Sequence, residues 1–252
     1  MPSQIIEDRP DCTVRRLFVS EMNNAVYLIT AKRSGDQILI DAADDADALE
    51  ALLREGAHDV GADAATADAG TASAVSRGAG TASTGTADAG SARTPARLRF
   101  IATTHAHWDH TRAVAELAAA TGAEVAIGRA DAARLLEERG VSADLLLDDG
   151  DRLEVDGLVL DVIALQGHTP GSVTFATVAG DPALLFTGDS LFPGGLGNTE
   201  GDPERFDRLY RDVTEKLFDR YPDGARVYPG HGEATTLGAE RPALPEWRAR
   251  GW

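Results

Sequence analysis

Short apolar runs alternate with polar turns through the first forty residues. TVRRLFVS, AVYLITA and QILIDAA carry β-branched and aromatic residues between turn signals such as Asn23-Asn24 and Ser34-Gly35, which predicts strands. The period changes over residues 45–55, where Leu49, Leu52 and Leu53 share one helical face. Further along, RLRFIATT reads as a strand, residues 111–120 as a helix closed by Gly122, and EVAIG as a strand. Residues 131–139 read as a helix ended by Gly140. RLEVDGLVLDVIALQ predicts two strands turning near Asp156-Gly157; SVTFATV and ALLFTGD predict two more. Residues 203–218 read as a helix with Pro203 in its first turn, ahead of a last strand in ARVYPGHG. A Pro-punctuated tail follows, whose Trp247 and Trp252 are expected to pack against the body. Grouped strands with interspersed helices predict an α/β fold of mixed sheets covered by helices.

One segment breaks the pattern. Residues 59–96 are almost wholly Ala, Gly, Thr, Ser and Asp, with TADAG at 66–70 and 86–90 and GTAS at 70–73 and 80–83. It offers almost nothing to bury, so the expectation is a flexible surface insert in a single domain spanning 1–252.

Charge narrows the partners. There are 41 acidic against 24 basic residues, a net charge of -17. That argues against a nucleic acid, which draws on clustered Lys and Arg, and against an anionic membrane. A single cysteine, Cys12, excludes an intrachain disulfide. MPSQIIEDRPDC is too polar for a signal sequence, and no apolar run approaches the ~20 residues of a span. A cytoplasmic protein acting on a small molecule is expected, with the oligomeric state open.

Chemistry gathers at strand ends. Of six histidines, His105, His107, His110, His168 and His231 lie in loops after predicted strands, as does Asp189; His58 sits in a polar segment and reads as structural. Loops held by a rigid sheet are where binding groups collect. In an extended segment, residues two apart point the same way, so His105 and His107 can face one ion. Asp109 and His110 start a helix and point differently, which suits a second ion beside the first.

The order HAHWDH, GHTPGS, TGDSLF, PGHG, with MNNAVYLI upstream, resembles the metallo-β-lactamase superfamily, and within it the glyoxalase II-like branch of small hydrolases. The likeness covers nearly all of the chain outside the 59–96 insert. It implies an αββα sandwich, two mixed β-sheets face to face with helices outside. It further implies His105, His107 and His168 on one metal, Asp109, His110 and His231 on a second, and Asp189 on both. Two divalent ions are implied, zinc first, with iron or manganese as alternatives. The implied reaction is attack of a metal-bridging hydroxide, oriented by Asp109, on the carbonyl of a thioester, ester or lactone.

The chain departs from the family at several places. Asp41-Ala42-Ala43 stands where Asp-x-Gly is common, and Asp41 is either a partner of a ligand histidine or a plain strand-end carboxylate. About twenty residues follow PGHG, where glyoxalase II carries a helical region that helps bind glutathione; this points away from a glutathione thioester. Zinc β-lactamases often place cysteine where Asp189 stands, which points away from an antibiotic substrate. Within LFPGGLGNTEG, Phe192, Leu196 and Asn198 either shape the substrate pocket or belong to a Gly-rich connector.

Three other functions compete. Persulfide dioxygenases share the motifs but use one iron, which His105, His168 and Asp189 would hold. Nucleic-acid processing, also found in the superfamily, is disfavoured by charge. A non-catalytic metal-binding protein is the third.

Overall fold

The computed structural model describes residues 2–60, 73–74 and 97–251. β1 (Gln4–Asp8), β2 (Cys12–Val19), β3 (Asn24–Ala31) and β4 (Gln37–Ile40) form an antiparallel meander. α1 (Ala46–His58) follows, begun by Asp45, whose carboxylate accepts from Ala48 N. The short β5 (Ser73–Ala74) joins the second sheet. β6 (Leu98–Thr103) then pairs parallel to β4. α2 (Trp108–Thr111) and α3 (Val114–Thr121) lead to β7 (Glu124–Gly128), and α4 (Ala132–Arg139) to β8 (Leu145–Leu147). The first sheet therefore runs β1-β2-β3-β4-β6-β7-β8, antiparallel at one end and parallel at the other.

The second sheet is built from β9 (Arg152–Val155), β10 (Leu158–Ala164), β11 (Val173–Thr177) and β12 (Leu184–Gly188). A small hairpin of β13 (Leu191–Phe192) and β14 (Gly195–Leu196) precedes α5 (Pro203–Val213). β15 (Arg226–Pro229) pairs parallel to β12, and β16 (Thr235–Thr236) edges the sheet. α6 (Leu237–Glu240) and α7 (Leu244–Arg250) end the described chain. The order is β16-β15-β12-β11-β10-β9-β5.

Alternation along the strands explains the layering. In β3, Ala25, Tyr27 and Ile29 enter the core between the sheets, where Phe175, Phe186 and Tyr228 meet them from the second sheet. Val26 and Leu28 point the other way, onto Leu49 and Leu52 of α1 and Leu117 of α3. In β12, Leu184 and Phe186 face the inter-sheet core, while Leu185 faces Leu209 and Val213 of α5 and Trp247 of α7. A strand covered on both faces loses its polar positions, which is why β3 is buried throughout. The αββα sandwich implied by the motifs is thus the observed fold.

Several expectations change in detail. β1, β8, the β13–β14 hairpin and the helices of the tail were not read from the sequence. The helix expected over 111–120 is two, α2 and α3, and the one expected over 203–218 leaves α-geometry after Val213 and widens into a π-turn to Phe218. The strand expected through Ala43 stops at Ile40, because Asp41 adopts a φ of 59°. The insert boundary also moves: Asp59 caps α1 and pairs with Arg15 at 2.6 Å. Residues 61–72 and 75–96 of the expected flexible segment lie outside the described residues, as does Trp252. Trp247 packs as expected, 1% exposed and edge-on to Phe218. No helix among the described residues is long and apolar enough to cross a membrane.

Candidate metal centre

The C-terminal ends of β4, β6, β10, β12 and β15 release Asp41, the His105 loop, the His168 loop, Asp189 and His231 respectively. These segments converge at one edge of the sandwich. His107 is extended (φ -68°, ψ 147°) and α2 starts at the next residue, so the strand-to-helix change falls at Trp108 as the spacing predicts.

All seven side chains singled out in the sequence meet here. His105 Nε2 lies 3.0 Å from His107 Nδ1 and 3.3 Å from His168 Nε2. His231 Nε2 lies 3.2 Å from both His110 Nε2 and Asp109 Oδ2. Asp189 stands between the groups, with Oδ1 3.4 Å from His110 Nε2 and Oδ2 3.7 Å from His168 and 3.6 Å from His231. His58 is elsewhere, in the last turn of α1.

The outer nitrogens are held in turn. His110 Nδ1 bonds Asp41 Oδ2 at 3.0 Å, His168 Nδ1 bonds the Asn198 carbonyl at 2.8 Å, and His231 Nδ1 bonds the Met22 carbonyl at 3.0 Å. Such bonds occupy Nδ1 and turn Nε2 of each ring toward the shared centre. Asp41 also accepts from Thr104 N and Oγ1 at 2.7 and 2.8 Å, so it is tied to His110 and its loop rather than being a plain strand-end carboxylate. Asn24 donates to Asp109 Oδ2 at 3.1 Å. Asn24 and the two carbonyls escaped sequence reading; only the Asn23-Asn24 turn signal pointed near them. Gly230 makes room for the centre: a Cβ there would sit 2.5 Å from Asp189 Oδ1 and 2.6 Å from His110 Cε1.

The arrangement fits metal ions. Nitrogens sharing a tetrahedral ion at about 2.0–2.1 Å stand roughly 3.3 Å apart, and the imidazole pairs sit near that spacing. Asp189 Oδ1 is buried without a hydrogen-bond partner among the described residues, as a carboxylate awaiting a cation would be. Among the described residues, three groups offer ligand atoms within 4.8 Å of one another: His105–His107–His168, His105–His110–Asp189 and Asp109–His110–His231. The donors are nitrogen and oxygen, which suits divalent ions such as zinc or iron.

The electrostatics divide the centre in two. Burial, reinforced by His110 and His168, pulls His105 well below the usual imidazole value. Burial and the charges of His168 and Arg134 take His107 to about 4. Burial lowers His168 as well, against the pull of Asp189. His110 goes the other way: burial opposes protonation, but Asp189 and Asp41 carry it well above the usual value. His231 is raised likewise against burial, by Asp109 and Asp189. Burial would raise Asp109 and Asp189, yet both are lowered, by His231 and His110 in the first case and by His110 and His168 in the second.

A cleft of about 380 Å³ opens beside His107 and His168, walled by Arg134 of α4 and by Arg205 and Arg208 of α5. Phe192, Leu196 and Asn198 are not among its walls. Leu196 packs against the core under α5, and Asn198 serves His168 through its carbonyl.

Two face-to-face mixed sheets, outer helices and a His/Asp centre at the shared edge define a metal-site αββα sandwich. Residues 20–231 match the family model of the metallo-beta-lactamase superfamily, and the chain belongs to that superfamily. It is similar to a hydroxyacylglutathione hydrolase of Pseudomonas entomophila (strain L48), 37% identical over 135 residues, 53% of this chain and 48% of that protein. It is similar to the mitochondrial persulfide dioxygenase ETHE1 of Homo sapiens, 35% identical over 136 residues, 54% of this chain and 49% of that protein. The chain spans about half the length of these curated relatives. The crystal structure of ETHE1 from Myxococcus xanthus matches with a TM-score of 0.65 at 25% identity, over 94% of this chain and 84% of that one.

Proposed function

We propose that this protein is a metal-dependent hydrolase that cleaves a small-molecule thioester, ester or lactone at a two-ion centre. The observation that carries the reading is the position of Asp189, within 3.7 Å of imidazole nitrogens from both histidine groups. His105, His107 and His168 would hold one ion, Asp109, His110 and His231 the other, and Asp189 both. Two divalent ions, zinc first, would lower the pKa of coordinated water from 15.7 towards about 7 and polarise a substrate carbonyl. Asp109, kept ionised by His231 and His110 and steadied by Asn24, would orient the attacking water. The cleft beside His107 and His168 is of a size for a small acyl compound. No protein nucleophile is required, and the buried thiol of Cys12 lies in β2, away from these loops. The likeness to a hydroxyacylglutathione hydrolase supports a thioester.

The test is metal analysis of the purified protein joined to a panel of thioesters, esters, lactones, β-lactams and phosphodiesters. Close to two ions per chain, thioester or ester turnover and its loss on chelation are expected. A metal-loaded protein that turns over nothing on the panel overturns the enzyme reading. The likeness to ETHE1 supports a second reading, a persulfide dioxygenase with one iron on His105, His168 and Asp189. One iron per chain with oxygen uptake on a thiol persulfide would establish it. The close approach of Asp109, His110 and His231 favours the two-ion hydrolase.

A further inference from the structure

The His105–His107 loop follows a strand of the first sheet and the His168 loop a strand of the second. One carboxylate is bonded to both. Asp131 ends the 3-10 turn (Arg129–Asp131) after β7 and is 2% exposed. Its Oδ2 accepts at 2.9 Å from the amide of Ala106, the residue between His105 and His107. The same oxygen accepts from the Thr169 hydroxyl at 2.7 Å, and Oδ1 accepts from Gly171 N at 2.7 Å. Thr169 is the neighbour of His168, and Gly171 closes the same turn.

The contact is close enough to fix distances. A Cβ on Gly171 would lie 2.5 Å from Asp131 N and 2.7 Å from its Cγ, and one on Gly128 would lie 1.9 Å from Gly171 O. Backbone meets backbone here, so the carboxylate has no slack. The other group is secured separately: Asp41 bonds His110 itself. Each histidine group thus has its own buried carboxylate.

We propose that Asp131 is a positioning residue that sets the separation of His105 and His107 from His168, and so tunes the ion those three hold and not the ion of Asp109, His110 and His231. The inference rests on the two-ion reading above. An ion needs its three nitrogens converged before it arrives; loops left to drift must be ordered on binding, which weakens it. Asp131→Asn keeps the volume but turns an N–H donor either toward Gly171 N or toward the Ala106 amide and Thr169 hydroxyl, so at least one of the three accepted bonds is lost and a donor is set against a donor.

The experiment measures zinc affinity by chelator competition in two backgrounds. His231→Ala leaves the three-histidine group as the only complete set, and His107→Ala leaves the other. Asp131→Asn should weaken zinc about tenfold or more in the first background and by less than about threefold in the second. A residue that only supports the fold would not choose between them, so equal loss in both, or loss in neither, overturns the proposal. If Asp131→Asn does not fold, Thr169→Val removes one of the three bonds at nearly constant volume. It should show the same preference, and an unchanged affinity in the His231→Ala background overturns the proposal. Parent protein that binds fewer than two ions, with one lost in neither background, instead overturns the two-ion reading and the inference with it.

Discussion

The Nε2 atoms of His110 and His231 face each other at 3.2 Å across 121 positions of sequence, each ring locked from behind by Asp41 or by the Met22 carbonyl. Both rings are raised above the usual imidazole value of about 6.5 in the metal-free protein, so an entering ion must displace protons from them. His105 and His107 are lowered, His107 to about 4, and stay neutral at ordinary pH.

The order of metal loss with pH follows from that asymmetry. Acidification should empty the Asp109–His110–His231 group first and the three-histidine group only as the pH nears about 4. Metal content after dialysis along a pH series should show a plateau at one ion per chain; loss of both together would contradict it. The metal-free fold has a related dependence. Folded values of His105 and His107 below the unfolded one mean that stability is lost as pH falls from about 6.5 through about 4.

Asp189→Ala removes the one carboxylate that reaches both groups. It should lower the metal content of both and abolish hydrolysis. His107→Ala, which touches one group, should keep close to one ion. Elemental analysis of the two variants side by side checks the ranking, and an Asp189→Ala protein with two ions and full activity would remove Asp189 from the centre.

Asp41→Ala leaves His110 Nδ1 without its acceptor and strands the Thr104 amide. Loss of such a partner typically costs about 10–100-fold in metal affinity or activity. The expected outcome is a weakened ion at the Asp109–His110–His231 group, read by zinc titration, with smaller change at the other.

Trp247→Ala tests the second helical layer apart from the chemistry. The ring is 1% exposed beneath α5 and touches Phe218. A buried Trp lost to Ala costs about 3–5 kcal/mol. Denaturant unfolding should show that loss while the metal content of the folded protein stays unchanged.

What could be read in advance divides along physical lines. The convergence of the seven side chains was legible because HAHWDH, GHTPGS, TGDS and PGHG, weak singly after the first, follow strands in one order. The sandwich was legible through the same motifs and through strands such as AVYLITA. Of the supports only Asp41 was foreseen, as one of two readings. Met22 and Asn198 act through carbonyls, which every residue has, and Asp131 lies in ADAARLLEE as an ordinary helix-start acid. β8 (LLL) is too short for alternation to show, and the tail reads as a coil because its prolines sit in first turns rather than between elements. The Gly-rich 191–201 stretch read either as a pocket-shaping loop or as a connector; its first six residues form a hairpin, Gly197 lets the backbone pass beside Asp189, and Glu200 reaches the cleft wall.

Asn24 and His231 are joined by a backbone bridge, Ala25 N bonds the Gly230 carbonyl at 2.8 Å, and the Tyr27 hydroxyl bonds the Pro229 carbonyl at 2.7 Å. The opening hairpin and β15 are therefore clasped at the very rim where the seven side chains gather. A chain still leaving the ribosome has six of the seven side chains by Asp189, yet the clasp and the seventh wait for residue 231. Assembly of the full seven-residue cluster therefore waits for His231, 42 positions beyond Asp189, to join the opening hairpin.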